Sequence, residues 1–131
     1  MQQRSSDPWR SQEALRVVQA NDSGDARRVI ICAGQFSSDA QGRPCYPDDM
    51  RAQISQALDN LEAVLRDAGL TLAAVVRLNY YTTDVDRFMA ANEVVVRRLA
   101  DAGCRPASTI LGVVRLVFPE LLIAIDATAV S

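Results

Sequence analysis

The chain has 131 residues, of which 49% are hydrophobic and 23% are charged, so it can bury the core of one compact domain. Its formal net charge is -2 and it contains no block of lysine and arginine, which argues against capture of nucleic acid or of an anionic membrane surface. It has no histidine, which excludes Ser-His-Asp hydrolases, zinc deaminases and HExxH proteases as these enzymes are usually built.

The first part of the chain gives no sign of export. Residues 1–12 are polar, have no apolar run that could act as a secretory signal, and are predicted to be flexible. No stretch reaches the roughly 20 apolar residues that a membrane span needs. The three cysteines form no CxxC pair and are interpreted as reduced thiols. These features predict a cytoplasmic protein with a single domain over residues 13–131, and with no metal or other cofactor.

A hairpin is predicted before the first helix. Residues 14–20 have strand character, residues 21–25 carry a turn signal, and residues 29–33 form a second strand. Gly34 follows this strand directly, and residues 39–44 are predicted to form a loop with a turn.

Two helices are predicted from apolar residues that recur at helical spacing. The first begins near residues 47–49, where a proline and two aspartates suit a helix N-terminus, and it ends at Gly69. The second follows residues 83–86, which resemble a capping box, and it ends at Gly103. Each helix has one apolar stripe, so both are expected to cover the same face of a sheet.

Three further strands complete a β-β-α-β-α-β-β order, which predicts an α+β fold with a mixed sheet. They are expected at residues 72–83, 108–116 and 121–130. Both sides of the last strand are mostly apolar, and two helices on one face cannot cover both. The uncovered face is therefore expected to be buried by another copy of the chain.

Six short motifs between residues 29 and 130 resemble those of the Rid family, also known as YjgF or L-PSP proteins, in the family's order and at nearly constant spacing. Residues 30–35 resemble the family's "SGQ" strand end, residues 53–61 its "QtrqaLdNl" motif and residues 68–70 its "aGl" motif. Residues 81–84 resemble its "vyltDm" motif, residues 106–109 its "PaRt" motif and residues 122–127 its "vEIea" motif. The resemblance implies a chorismate-mutase-like α+β fold, assembled as a homotrimer with its sheets facing inward. It also implies ligand clefts at the subunit interfaces.

Archetypal Rid proteins hydrolyse reactive enamine and imine intermediates and release ammonia. In them, an arginine after the "PA" pair holds the substrate carboxylate, and a glutamate on the last strand helps to position the attacking water. Here Ser108 occupies the arginine position and Ala124 the glutamate position, with Asp126 two residues further along the same face, while Arg105 lies three residues too early. The "GPY" tyrosine of the family also has no counterpart at residues 15–19. Because serine cannot supply a bidentate, charge-assisted clamp, ordinary 2-imino-acid deamination is expected to be weak or absent.

The resemblance also marks candidate site residues, each with a plainer alternative. Asp126 and Ser108 are the candidate catalytic residues. The alternative for Asp126 is a salt bridge between subunits, to Arg115 or Arg77, because a buried carboxylate needs a partner. The alternative for Ser108 is a hydroxyl that satisfies the backbone where its strand begins.

The candidate ligand-binding residues are Gly34, Thr109 and one of the two tyrosines Tyr80 and Tyr81. Gly34 offers backbone groups to a cleft, or alternatively meets a need for positive φ or close packing. One tyrosine is expected to line the cleft and the other to lie in the core. The cysteines are interpreted as small core residues, because a nucleophilic thiol needs a neighbour that lowers its pKa.

Three functions follow from these observations. The first is an enzyme that hydrolyses or rearranges an enamine-like or imine-like intermediate of a specialised pathway. The second is a metabolite-binding or regulatory trimer without chemistry. The third is an endoribonuclease, which the acidic balance of the chain disfavours.

Overall fold

The computed structural model describes residues 28–131 and, before them, the backbone of two short strands. Strands β1 (Arg4–Ser6) and β2 (Ala20–Asp22) pair antiparallel. Apart from the residues of β1 and β2, the predicted flexible segment at 1–12 and the predicted strand at 14–20 lie outside the described residues. The hairpin expected from that strand therefore also lies outside them. Asn21 and Asp22 were expected in a turn, and this prediction is wrong. Their backbone groups pair instead with Ser5 and Arg4, a contact distant in sequence that overrides the local turn preference.

Four strands form a mixed sheet, and the sequence predicts its mixed character and a strand at each of these four places. They are β3 (Val29–Phe36), β4 (Val75–Thr82), β5 (Ala107–Gly112) and β6 (Ile123–Val130), in the spatial order β3-β6-β4-β5. Strand β6 runs antiparallel to both of its neighbours, and β4 and β5 run parallel. The sheet therefore places the C-terminal strand β6 at its centre, between β3 and β4.

Helix α1 (Met50–Asp67) begins and ends as the sequence predicts. The Asp49 carboxylate caps it by accepting the Ala52 N–H at 3.0 Å. At its other end Gly69 has a φ of 78°. The Leu70 N–H then donates to the Leu65 carbonyl oxygen at 2.8 Å, which satisfies the final turn.

The second predicted helix is divided into α2 (Val85–Ala90) and α3 (Asn92–Ala102). Asp84 caps α2 by accepting the Arg87 N–H at 3.0 Å. The helices separate at Ala91, whose N–H lies 3.1 Å from the carbonyl oxygens of both Arg87 and Phe88, a tightened last turn. The division depends on this local hydrogen bonding, which apolar spacing does not report.

The helices and the core lie on one face of the sheet. Helix α1 packs against β3 and β6, α3 packs beside α1, and α2 contacts β5. Along β6 the buried side chains of Ile123, Ile125, Ala127 and Ala129 alternate with half-buried residues, and the last residue, Val130, is also buried. The expectation that both predicted helices cover one face is confirmed. Within the described part of the chain, no helix is long and apolar enough to cross a membrane.

Candidate functional site

The face of the sheet opposite α1 is covered by no described helix, and we call it the open face. Register and burial place on it alternate side chains of all four strands. These side chains are Val29, Ile31, Arg77, Asn79, Tyr81, Thr109, Leu111, Ala124, Asp126 and Thr128. Ile31 is 81% exposed and Val29 is 64% exposed in the single chain, so the open face presents a large apolar area to whatever lies beyond it.

A line of polar positions crosses the middle of the open face. Asn79 on β4 lies opposite Asp126 on β6 and, on its other side, opposite Thr109 on β5. On β3 the register shifts between Cys32 and Gln35, so that Ala33 and Gly34 together lie opposite Asp126. We call Gly34, Asp126, Asn79 and Thr109 the polar row. It brings residues from all four strands to one level of the sheet.

The Asp126 carboxylate is held by two donors from β4. The Asn79 side-chain amide donates to Oδ1 at 2.8 Å, and the Tyr81 hydroxyl donates to Oδ2 at 2.8 Å. The hydrogen bond between Tyr81 and Asp126 raises the pKa of Tyr81. Burial and the negative charge of Asp126 raise this pKa further, whereas the positive charge of Arg77 lowers it. The two bonds orient the carboxylate and leave acceptor capacity on both oxygens.

Arg77 brings a positive charge to the open face. Its guanidinium donates to Thr109 Oγ1 at 2.8 Å, which directs the side chain over β5. None of the ion pairs in the described part of the chain joins Arg77 to Asp126. Within one chain Asp126 is bonded to neutral donors, and the salt bridge considered from the sequence, which would join two subunits, stays a prediction.

The structure does not bring Ser108 onto the open face, which corrects its expected grouping with Asp126, and of the two tyrosines it is Tyr80 that lies on the helix side. Ser108 lies opposite Leu78, which is fully buried, so its side chain points towards the helices. The hydroxyl oxygens of Ser108 and Tyr80 are buried and lack a hydrogen bond of good geometry. Burial raises the pKa of Tyr80, as does Cys104 nearby, whereas the Ser108 hydroxyl lowers it. Tyr81 is thus the tyrosine on the open face, and Tyr80 belongs to the core.

Gly34 lies at the exposed bulge of β3. Its φ is not in the left-handed region, and apart from its chain neighbours no described atom lies within 4 Å of the position a Cβ would take. Neither backbone strain nor packing within one chain therefore requires a glycine here. The alternative given for Gly34 from the sequence does not explain it.

The cysteines of the sheet region lie on the helix side of the sheet. Cys32 is buried, and burial raises the pKa of its thiol, which makes it a poor nucleophile. The Cys104 thiol is buried and donates to the Val75 carbonyl oxygen at 3.7 Å. Over the same residues 28–131, no three histidine, cysteine, aspartate or glutamate side chains gather as metal ligands do.

Sequence reasoning did not single out Asn79 and Arg77 as site residues. Strand alternation puts Arg77, Asn79 and Tyr81 on one side of β4, and this signal was present in the sequence. Pairing Asn79 with Asp126 requires the register between two strands that are 47 residues apart in the chain. That register cannot be read from either strand alone.

Comparison with known proteins gives consistent matches along this chain. The sequence model described as Endoribonuclease L-PSP matches residues 14–131. A RutC family protein of Pyrococcus horikoshii is 31% identical over 104 residues, which are 79% of this chain and 80% of the relative. The Endoribonuclease L-PSP match covers residues 28–131 in full, including all four strands of the sheet.

Solved structures of similar sequence share the fold. The crystal structure of YyfB of Yersinia pestis, a protein of unknown function in the conserved Rid family, matches with a TM-score of 0.88 and 34% identity over 100% of both chains. The structure of TdcF of E. coli with bound serine matches with a TM-score of 0.71 and 25% identity, over 89% of this chain and 94% of TdcF. Sequence and fold together show that this chain belongs to the Rid family, the YjgF or L-PSP type of α+β protein.

Proposed function

We propose that this protein is a homotrimer that binds a small metabolite in clefts between its subunits, and that the polar row forms the floor of each cleft. The observation that carries the proposal is the polar row itself. An oriented carboxylate, an amide and a hydroxyl lie at one level of a face that also carries exposed large apolar side chains. A mostly apolar surface with a few converging polar groups is typical of a small-molecule site.

The need for assembly follows from the open face. Val29, Ile31 and Leu111 are exposed large apolar residues there, and the described helices all lie on the other side of the sheet. A second copy of the chain would remove this area from water. The glycine at the β3 bulge also fits, because close approach by another molecule explains the absent side chain at Gly34.

The chemistry proposed is hydrolysis or rearrangement of an enamine-like or imine-like intermediate. In hydrolysis, water adds to the carbon of the C=N bond and its protons pass to the nitrogen. The C–N bond then breaks, ammonia leaves and a carbonyl remains. Asp126 is suited to orient the water and accept a proton, because its oxygens keep acceptor capacity beside Asn79 and Tyr81.

Ordinary 2-imino-acid deamination is expected to be weak or absent. The position of the family's clamp arginine is occupied by Ser108, whose hydroxyl points into the core. The alternative function, a binding or regulatory trimer without turnover, retains the cleft and lacks the chemistry. The serine bound to TdcF supports small-molecule binding by this fold and does not favour either alternative.

The experiment is a ligand screen by thermal shift on the full chain, followed by Asp126→Asn. Enzymatic function predicts that a ligand is consumed, that ammonia or an altered product appears, and that Asp126→Asn reduces the rate by about 100-fold or more. The binding alternative predicts a recovered, unchanged ligand. A confirmed ligand whose binding and turnover are the same in wild type and Asp126→Asn would remove the polar row from the proposed site. A screen in which no small molecule binds would overturn the function itself.

A further inference from the structure

The hydroxyl of Tyr81 and the carboxylate of Asp126 are in direct contact on the open face. Tyr81 Oη lies 2.8 Å from Asp126 Oδ2, and both residues are half-buried, so a bound molecule can reach them. The Asn79 side-chain amide holds the other carboxylate oxygen at 2.8 Å. The hydrogen bond to Asp126 raises the pKa of Tyr81, so the hydroxyl keeps its proton at neutral pH. A proton acceptor and a proton donor therefore lie side by side.

Addition of water to a C=N bond needs an acceptor and a donor at neighbouring atoms. A base takes a proton from the water that attacks the carbon, and an acid supplies a proton to the nitrogen. Because the carbon and the nitrogen are bonded to each other, the base and the acid have to lie close together. The 2.8 Å between Tyr81 Oη and Asp126 Oδ2 meets this requirement. The Asn79 amide and the Arg77 guanidinium, also on this side of β4, do not release protons at ordinary pH.

We infer that Tyr81 is the catalytic acid of the proposed reaction, which gives its proton to the nitrogen of the C=N bond while Asp126 takes a proton from the attacking water. This inference rests on the proposed function and adds a second catalytic residue to it. The water oxygen forms a bond to the carbon, and the π electron pair of the C=N bond moves to the nitrogen, which takes the Tyr81 proton. The ligand becomes a carbinolamine, and the protein holds a tyrosinate and a protonated carboxyl group.

The hydrogen bond between the two residues then returns the proton. Asp126 passes the proton that it took from water to the Tyr81 oxygen, so both groups regain their starting state. In the second step Asp126 takes the proton of the carbinolamine hydroxyl and Tyr81 protonates the nitrogen. The C–N bond breaks with its electron pair on the nitrogen, the amine or ammonia leaves, and a carbonyl remains.

Only the hydroxyl hydrogen has to move. Rotation about the bond between the ring and Tyr81 Oη turns this hydrogen from Asp126 towards the ligand nitrogen. Asp126 then keeps one donor, the Asn79 amide. A carboxylate that loses a hydrogen-bond donor becomes a better proton acceptor. The movement that makes Tyr81 available as an acid therefore also makes Asp126 a stronger base, at the moment when water has to be deprotonated.

Two imines that differ in the basicity of their nitrogen test the acid. The nitrogen of N-benzylidenemethylamine takes a proton from solvent readily, whereas that of N-benzylideneaniline is weakly basic and depends more on an acid of the protein. Both probes are neutral, and their rings suit the exposed apolar side chains of Ile31 and Leu111. Hydrolysis to benzaldehyde by the full chain is followed by absorbance and compared with the rate without protein.

Tyr81→Phe is expected to lower kcat for the aniline probe by about 100-fold or more, and for the methylamine probe by about tenfold or less, with KM nearly unchanged. Phenylalanine keeps the ring, so the variant is expected to fold, and circular dichroism and light scattering check its fold and assembly. Tyr80→Phe is the matched control, because it removes the neighbouring hydroxyl on the core side, and it should leave both rates unchanged. Equal losses for the two probes would mean that Tyr81 only positions Asp126, and the inference would be wrong. An unchanged rate in Tyr81→Phe, or no acceleration of either probe by the wild type, would also overturn it.

The two proposals fail differently. A small molecule from the thermal-shift screen whose binding depends on Asp126, in a protein that hydrolyses neither imine, leaves the proposed cleft in place and overturns only the role of Tyr81. A screen in which no small molecule binds, together with no hydrolysis of either imine, overturns both.

Discussion

Two adjacent tyrosines on β4 have opposite surroundings. Tyr81 lies on the open face, where its hydroxyl donates to Asp126 at 2.8 Å. Tyr80 lies in the core, with its ring 5.3 Å from that of Phe88, and its hydroxyl has no hydrogen bond of good geometry. Because side chains alternate along the strand, the Tyr81 hydroxyl has a charged partner, whereas the Tyr80 hydroxyl is buried at a cost in folding free energy.

This contrast predicts opposite results for the same substitution. Tyr81→Phe is expected to lower the free energy of unfolding by about 1 kcal/mol, less than a fully buried bond to a charged group because the site is partly exposed. Tyr80→Phe is expected to change it by less than about 0.5 kcal/mol, or to raise it, because the removed hydroxyl has no well-formed partner. Urea denaturation at one protein concentration measures both. A larger loss for Tyr80→Phe than for Tyr81→Phe would show that the Tyr80 hydroxyl is bonded in solution.

The same residues predict how stability depends on alkaline pH. The folded-state pKa of both tyrosines lies above the ordinary value of 10.0, mainly because of the bond to Asp126 for Tyr81 and because of burial for Tyr80. A group with a raised folded pKa contributes stability that is complete below its unfolded pKa and is lost as pH rises through the folded pKa. The free energy of unfolding should therefore fall above about pH 10, and each Phe variant should reduce this fall. An unchanged pH profile in both variants would contradict the assignment.

At the scale of elements, side chains of the motif at residues 53–61 connect α1 to the rest of the fold by hydrogen bonds. Gln53 is 0% exposed, and its amide donates to the carbonyl oxygens of Tyr46 and Glu120, both at 3.0 Å, while its oxygen accepts the Leu122 N–H at 2.8 Å. Asn60 donates to the Phe36 carbonyl oxygen at 2.9 Å. These two polar residues of the motif thus bind backbone and position the ends of β3 and β6, so the motif reports fold and not chemistry.

Gln53→Leu is expected to cost about 2 to 4 kcal/mol of unfolding free energy, because it leaves buried backbone groups without partners. The matched control is Gln56→Leu, one turn further along α1. Among residues 28–131, Gln56 bonds only to the Asn60 side chain, at 2.9 Å, and it is half-buried, so its loss should cost less than about 1 kcal/mol. Denaturation curves with similar midpoints for the two variants would show that the three bonds of Gln53 contribute little.

How far the sequence predicts an element depends on how local its determinants are. Helix α1 is predicted correctly because Asp49 and Gly69, which mark its ends, act within one turn. The face to which Asp126 belongs also follows from alternation along β6. The side of Ser108 was assigned wrongly, because a position in a family motif does not show which way a side chain points where a strand begins. The polar row needs the register of four strands, which only the folded sheet provides.

At the scale of the whole molecule, the open face is the feature that a single chain leaves unexplained. Its central polar row is flanked by apolar residues on β3 and β5, such as Ile31 and Leu111, which water would otherwise contact. Burying this area between subunits is favourable, and it also places the polar row where solvent is partly excluded. Assembly and ligand binding are therefore expected to depend on the same surface.

Ile31→Glu tests this dependence. Ile31 is 81% exposed in the single chain, so a glutamate there should leave the fold of the subunit intact. In a trimer that buries this face, the same carboxylate would be desolvated without a partner, so the assembly should dissociate. Light scattering after size exclusion at micromolar concentration is expected to give about three times 14.3 kDa for the wild type and a smaller mass for the variant. Val64→Glu, on an exposed position of α1, should keep the wild-type mass. A monomeric wild type would contradict the trimer, and a folded Ile31→Glu protein of unchanged mass would show that the subunits meet through another surface.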